Sequence, residues 1–428
     1  MSIRPFATAN AVVGAIHEKL SKPGSLAATL LGIGPMSEAV LRAAIELGRD
    51  EDFPVMFIAS RNQVDSEEFG GGYVRGWTTE DFCNAILKIV RETDFTGLLY
   101  VCRDHGGPWQ RDEEKAAGLA VGEAMRRGRA SFVSDLLAGL TLLHVDPTKD
   151  PHCKGAVPLN VVIERTVELI ESIEAERRAR RLSPVSFEIG TEETTGGLTG
   201  AEAFEEFIVK LTGELADRAL PRPAFIVGQT GTLMRMTQQV GHFKAEHARA
   251  LAAIARKHGM GLKEHNADYL DDETLRRHPE LGITSANVAP EFGFAETRAL
   301  LELAGEERAA ARGGEHSNFE LILSREALGS GRWKKWLIED PSLWTEEIVR
   351  ATPAKLRAIA ELAGHYVFDN EPVAAARKKL CDNARSFGVE ADPDRRILNA
   401  VKESIRRYAD AFRMPGLTSK LKEALGLF

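Results

Sequence analysis

Short, mostly apolar runs alternate with longer helical patterns along this chain, and the alternation repeats about eight times. The runs are Leu26–Ile33, Pro54–Ala59, Leu98–Cys102, Leu140–Val145, Val185–Gly190, Ala224–Val227, Gly261–Lys263 and Ile283–Val288. Strands without alternating polarity are buried on both faces, as happens in a parallel sheet whose crossovers are helices. Eight βα units favour a sheet closed on itself. The predicted fold is an α/β TIM (β/α)8 barrel over residues 1–310. Its helices include Ser37–Leu47, one beginning near the capped, acidic turn Thr78-Thr79-Glu80-Asp81, Glu113–Arg127, a long one from Leu159 into the charged run ending at Leu182, and Ala245–Lys257. An open dinucleotide fold would carry GxGxxG after its first strand, but Gly32-Ile33-Gly34-Pro35-Met36-Ser37 offers only the first two glycines. No GxxxxGK[ST] phosphate loop occurs either.

Beyond about Ala310 the pattern changes. Arg312-Gly313-Gly314 marks a joint, and residues 311–428 read as a C-terminal helical extension with helices at Phe319–Leu328, Thr345–Leu362, Pro372–Phe387 and Asp394–Arg413. Such an extension covers part of the barrel or meets a partner. Within it, Arg332-Trp333-Lys334-Lys335-Trp336 reads as two packed tryptophans, with ligand contact through the indoles or cations as the alternative.

With a net charge of −8, the chain of 428 residues is not built for broad capture of nucleic acid. Its four cysteines, Cys83, Cys102, Cys153 and Cys381, show no CxxC or finger-like spacing, so a reduced cytoplasm is the expected setting. Met1–Ser21 lacks the apolar core of an export signal, and no run of about 18 apolar residues suggests a membrane span.

A barrel of this kind carries its chemistry where the strands emerge at their C-terminal ends. The third run ends in Arg103-Asp104-His105-Gly106-Gly107-Pro108. Adjacent residues on an extended strand point to opposite sides, so only a bend can bring Asp104 and His105 to one ligand; otherwise Asp104 caps the next helix. After the second run, Asn62 and Gln63 can bind sugar hydroxyls, and Gly71 and Gly72 either let backbone approach a ligand or merely make a turn. His144-Val145-Asp146, Glu188 to Glu192, Gln229, Glu264-His265 and Asn287 follow at the later strand ends. The resulting expectation is a divalent ion, such as zinc, held by His105, Glu192 and His265. Asp104, Asp146 and Glu192 are then the catalytic carboxylates, and Asn62, Gln63, Gly71, Gly72, Gln229 and Asn287 bind substrate. A metal there can hold the carbonyl and hydroxyl oxygens of a ketose, while Asp104 moves a proton to or from an alkoxide.

The motifs Ser60-Arg-Asn-Gln-Val with Phe69-Gly-Gly-Gly-Tyr, Asp104-His-Gly-Gly-Pro, Leu143-His-Val-Asp146, Ile189-Gly-Thr-Glu192, Glu264-His265 with Asp268-Tyr269, and Trp333-Lys-Lys-Trp run in order along the chain. Together they resemble the GatZ/KbaZ family, the accessory or Z-type subunits of class II tagatose-1,6-bisphosphate aldolase. The resemblance implies a barrel of class II aldolase type, a role in ketose or ketose-phosphate catabolism, and a homo- or hetero-oligomer with a catalytic aldolase subunit. It also implies that His105 is a metal ligand and Asp104 a proton carrier, with Glu192 and His265 matching acidic and imidazole positions. The alternative it carries is a metal-dependent ketose or ketose-phosphate 4-epimerase or lyase using retro-aldol chemistry. A tagatose-6-phosphate kinase, a label some members carry, lacks a phosphate-donor motif here. Two positions depart from the family pattern: Met36-Ser37-Glu38 replaces a His-Pro pair, and Gln229 or Thr230 stands where catalytic class II aldolases place a metal histidine near strand six.

Overall fold

The computed structural model describes residues 5–20, 27–190, 200–311 and 315–427. Leu26, the glycines of the Gly313-Gly314 joint, and Glu192 with Gly196-Gly197 lie outside the described residues. Eight parallel strands close into a barrel: β1 Leu30–Ile33, β2 Val55–Ser60, β3 Leu99–Gly106, β4 Leu142–Val145, β5 Ser186–Gly190, β6 Phe225–Val227, β7 Gly261–Glu264 and β8 Ile283–Val288. The ring closes where β1 pairs with both β2 and β8, with Gly32 opposite Asn287. A Cβ on Gly32 would sit 2.2 Å from the Asn287 Oδ1, so any other residue there would displace the Asn287 side chain.

Helices follow each strand on the outside: α1 Glu38–Asp50, α2 Thr79–Glu92, α3 Val121–Ala138, α4 Leu159–Ala179, α5 Ala201–Asp217, α6 Ala245–Lys257, α7 Asp272–Leu281 and α8 Pro290–Ala310. The capping box expected at Thr78 and Asp81 is present. The helix expected over Glu113–Arg127 is instead a short Asp112–Ala116 turn of helix and then α3, because Gly118 takes a left-handed φ of 56° between them.

The extension contributes α9 Phe319–Ser330, α10 Pro353–Ala363, α11 Glu371–Ser386, α12 Pro393–Ala411 and α13 Leu417–Leu425. The single helix expected over Thr345–Leu362 is broken, because Pro353 cannot donate to the preceding turn and pushes Thr352 to extended backbone; Glu346–Ala351 forms a separate helix. A second apolar core, including Leu300, Phe319, Trp333, Ile359 and Leu380, lies between α8 and the first helices of the extension. The last two helices do otherwise. Val401, Ile405 and Tyr408 of α12 and Leu421 of α13 join the barrel's own core, and α12 packs between α1 and α8, the first and last helices of the ring.

Behind β2 and β3 sits a fully buried charge network. Arg103 makes a bidentate pair with Asp135 at 2.6 and 2.8 Å, and Arg61 pairs with Glu114 at 2.8 and 2.9 Å and with Asp65 at 3.0 Å. Two further Arg103 bonds reach the Ala59 and Val64 carbonyls, fixing the loop after β2. Removing one partner of such a pair strands a buried charge. Asp135→Ala should therefore destabilise the protein by about 3–5 kcal/mol, measured as a lowered urea midpoint; an unchanged midpoint would mean that Arg103 finds another counter-charge.

Candidate active site

β3 runs on through the Arg103-Asp104-His105 motif instead of ending before it. Its pairing with β4 shifts by one residue between Arg103 and Gly106, a bulge, and within it His105 adopts a left-handed φ of 45°. A bulge re-aims the side chains it contains. Here it turns Asp104 and His105, which regular pleating would separate, toward the same cavity at the barrel mouth.

Three imidazoles meet there. The ring centroids of His105, His144 and His265 lie 4.8 to 5.3 Å apart, and one donor atom from each, with one from Asp104, falls within 4.8 Å of all the others. Two of the rings are held by carboxylates beneath them, and the third, His144, accepts the His105 backbone N–H at its Nδ1, 3.2 Å away. The Asp146 Oδ2 lies 2.6 Å from the His105 Nδ1, and the Glu188 Oε1 lies 3.0 Å from the His265 Nε2 and 3.5 Å from the His144 Nδ1. Glu188 in turn accepts a 2.6 Å bond from the Lys263 ammonium, which is shut inside the barrel.

Burial alone would raise the Glu188 carboxyl, but Lys263, His144 and His265 hold it down at about 2. Burial would likewise lower the Lys263 ammonium, and Glu188 keeps it above the ordinary lysine value. Against the same cost of burial, the surrounding imidazoles hold Asp104 well below the usual carboxylate range, and His105 does so for Asp146.

An ionised carboxylate only accepts, so Asp146 fixes the proton of His105 on Nδ1 and Glu188 fixes that of His265 on Nε2. The remaining nitrogens, the His105 Nε2 and the His265 Nδ1, then face each other at 3.1 Å. A second proton on one of the two rings, or a metal cation held between them, satisfies both nitrogens there. The His144 Nε2 is buried and makes no hydrogen bond among the described residues. Three imidazoles, each ring oriented by an outer carboxylate or a backbone group, make a donor set that fits a divalent transition ion, with Asp104 beside them.

The cavity above these rings has a volume of about 240 Å³ and takes its walls from both parts of the chain. Asn62, Gln63, Asp104, His105, His265 and Asn287, all named from the sequence, line it. The Asn62 amide also clamps the loop after β3, bonding the Gln110 carbonyl at 3.2 Å and the Asp112 N–H at 3.0 Å. Asn287 donates to the Asp104 Oδ1 at 3.2 Å, and among the described residues its own Oδ1 has no hydrogen bond, nor has the Oε1 of cavity-lining Gln110.

The other expected residues lie elsewhere. Asp146 is below the cavity, engaged with His105, and Gln229 is buried outside its lining. Gly71 and Gly72 also stay out of the cavity wall: they are the turn that presents Tyr73, and a Cβ on Gly72 would stand 2.0 Å from the Gln63 carbonyl oxygen. Glu192 is outside the described residues.

Sequence reasoning assigned no role to His144, Glu188, Lys263 and Asp268, and it offered the roof only as the alternative to packed tryptophans. A signal existed for three of them, since His144, Glu188 and Lys263 are charged or polar positions inside strands otherwise buried on both faces. Asp268 lines the cavity and accepts N–H bonds from Ala289 and Glu291 at the start of α8, and burial, reinforced by the Glu291 charge, pushes its carboxyl up to about 7. The roof comes from the extension. Trp333 is packed against Trp344, as the packing reading expected, whereas Lys335 and Trp336 reach the cavity, where the Trp336 indole donates to the Tyr366 hydroxyl at 3.1 Å.

The family model for D-tagatose-1,6-bisphosphate aldolase subunit GatZ/KbaZ-like proteins matches residues 22–383. The chain belongs to the GatZ/KbaZ-like family. The D-tagatose-1,6-bisphosphate aldolase subunit GatZ of Escherichia coli (strain SMS-3-5 / SECEC) is 25% identical over 319 residues, covering 69% of this chain and 72% of that protein. Among solved structures, a probable tagatose 6 phosphate kinase from Sinorhizobium meliloti 1021 superposes with a TM-score of 0.70 at 22% identity, over 90% of this chain and all of that one. The fructuronate-tagaturonate epimerase UxaE from Cohnella laeviribosi gives 0.55 at 12% identity, over 91% of this chain and 82% of that one. These two likenesses show the shared barrel fold. Within the GatZ/KbaZ-like chain described here, the third imidazole of the cluster stands on β4, as His144, while the region of Gln229 and Thr230 after β6 supplies none.

Loss of an outer carboxylate that orients a ligating histidine typically costs 10- to 100-fold in metal affinity. Glu188→Gln should weaken divalent-ion binding by about that factor, with Zn²⁺ as the probe in competition with a chelating dye. Because Glu188 is held at about 2 against an ordinary 4.5, its contribution to stability is fully present above about pH 4.5 and is lost as the pH falls toward 2. The fall in melting temperature over that window should be shallower in Glu188→Gln than in the unsubstituted protein.

Proposed function

We propose that this chain is the accessory subunit of a cytoplasmic class II tagatose-1,6-bisphosphate aldolase, working beside a catalytic aldolase chain and binding a ketose phosphate at its own barrel mouth. The observation that carries this reading is that a member of an aldolase-subunit family keeps three imidazoles and a carboxylate together at the strand ends. His105, His144 and His265, with Asp104 beside them, would hold Zn²⁺. Bound there, the ion supplies Lewis acidity toward the carbonyl and hydroxyl oxygens of a ketose.

The chain's own residues do the rest. Asp104, ionised and steadied by Asn287, accepts the proton of a substrate hydroxyl. Asp268, which exchanges its proton near neutrality, can return one from the opposite wall. The unengaged oxygens of Gln110 and Asn287 accept from sugar hydroxyls. Tyr73, Trp336 and Tyr366 close over the ligand and exclude water.

A second reading, a metal-dependent ketose 4-epimerase or lyase, draws support from the same imidazole set, which a purely stabilising subunit has no need to keep. The two separate in one experiment. Co-expressed with a catalytic class II aldolase chain, this protein should co-purify with it and lengthen the half-life of its D-tagatose 1,6-bisphosphate cleavage, and His105→Ala should leave that protection in place. Ketose turnover by the isolated chain, abolished by a chelator and by His105→Ala, would replace the accessory reading with the epimerase one.

A further inference from the structure

The floor of the cavity is rich in negative charge. Asp104 lines it, Asp268 carries part of a charge near neutrality, and Asp146 stands behind the imidazoles, while Glu188 is balanced by Lys263, in a chain whose net charge is −8. Such a site repels an anionic ligand unless a cation is placed to receive it. Two lysines line the cavity, Lys149 from the loop after β4 and Lys335 from the extension. They are not equivalent. Lys335 is already compensated, its ammonium 3.3 Å from the Asp112 carboxylate. Lys149 is half-buried, and it makes no hydrogen bond or ion pair among the described residues; its charge is felt only at a distance, by Asp146.

Partial burial costs an ammonium some of its hydration, and no hydrogen bond or ion pair among the described residues returns that cost. A ligand anion would. The loop that carries Lys149 is itself tied down, with the Thr148 N–H donating to Asp146 at 3.0 Å and Arg165 bonding Asp150 at 2.8 Å on either side of it. The cation is therefore presented from a fixed position, one loop away from the His105 and His144 rings. A volume of about 240 Å³ is below the 300–1,000 Å³ usual for drug-sized ligands and suits a single small sugar.

We propose that Lys149 is the residue that selects anionic ketoses, receiving the phosphate or carboxylate at one end of the sugar while the imidazole end of the cavity takes its carbonyl and hydroxyl oxygens. This rests on the reading of the site as a ketose site. Lys149 is a specificity residue in that scheme: it touches the end group and leaves the reacting atoms to Asp104 and the imidazoles.

Calorimetric titration of the Zn²⁺-loaded, full-length protein with D-tagatose, D-tagatose 6-phosphate, D-tagaturonate and inorganic phosphate tests it. Hydrogen bonds to charged groups predict that an anionic sugar binds on the order of 10- to 100-fold more tightly than D-tagatose. Lys149→Met should erase that gap while leaving D-tagatose affinity unchanged, and Lys149→Arg should keep most of it. Preference for the 6-phosphate identifies a phosphate end group, and preference for tagaturonate a carboxylate; either supports the proposal. An undiminished gap in Lys149→Met, or no gap in the unsubstituted protein, overturns it while the ketose reading stands. If no sugar binds but inorganic phosphate does, and Lys149→Met abolishes that binding, the anion site holds and the ketose reading falls. Binding of neither overturns both.

Discussion

Lys263 and Glu188, joined at 2.6 Å inside the barrel, are the footing of the site. Neither charge could stay buried alone, and each keeps the other ionised. An ionised Glu188 can only accept, so it sets the tautomer of His265 and faces His144. Asp146 does the same for His105 from the neighbouring strand. His105 and His265 thus reach the cavity with their outer-nitrogen protons assigned, beside His144, whose Nδ1 accepts the His105 backbone N–H, an arrangement a packed apolar barrel core would not produce.

Bringing His105 to that cluster takes backbone geometry that a regular strand does not have. The bulge in β3 and the left-handed His105 turn two successive polar residues to one side. Arg103, immediately before them, points the other way into the buried pair with Asp135, so the motif is anchored behind as well as presented in front. One strand end serves both the stability of the β2–β3 corner and the chemistry of the mouth.

The extension divides its labour. Its first helices build a second core against α8 and lower Trp336, Lys335 and Tyr366 over the cavity, while α12 and α13 return to the barrel and seal the ring between α8 and α1. The cavity is consequently a property of the whole chain: its floor belongs to the barrel and its roof to residues more than two hundred positions later than the motif they cover.

Much of this was legible in the amino-acid order. The repeated βα rhythm determined the closed barrel, because both-face burial and helical crossovers leave few other arrangements for eight such units, and the local motifs determined which strand ends carry polar chemistry. Asp104, His105, His265, Asn62, Gln63 and Asn287 could be named for that reason. Other features depend on distance through space and not on spacing along the chain. That His144 supplies the third imidazole, that Gly71 and Gly72 shape a turn, that Gln229 and Asp146 stay out of the cavity wall, and that Trp333 packs while Trp336 faces the ligand space were decided only by the tertiary structure. Strand periodicity states which residues share a face, but the bulge, the register of the closed ring and the docking of the extension choose which of those faces meet.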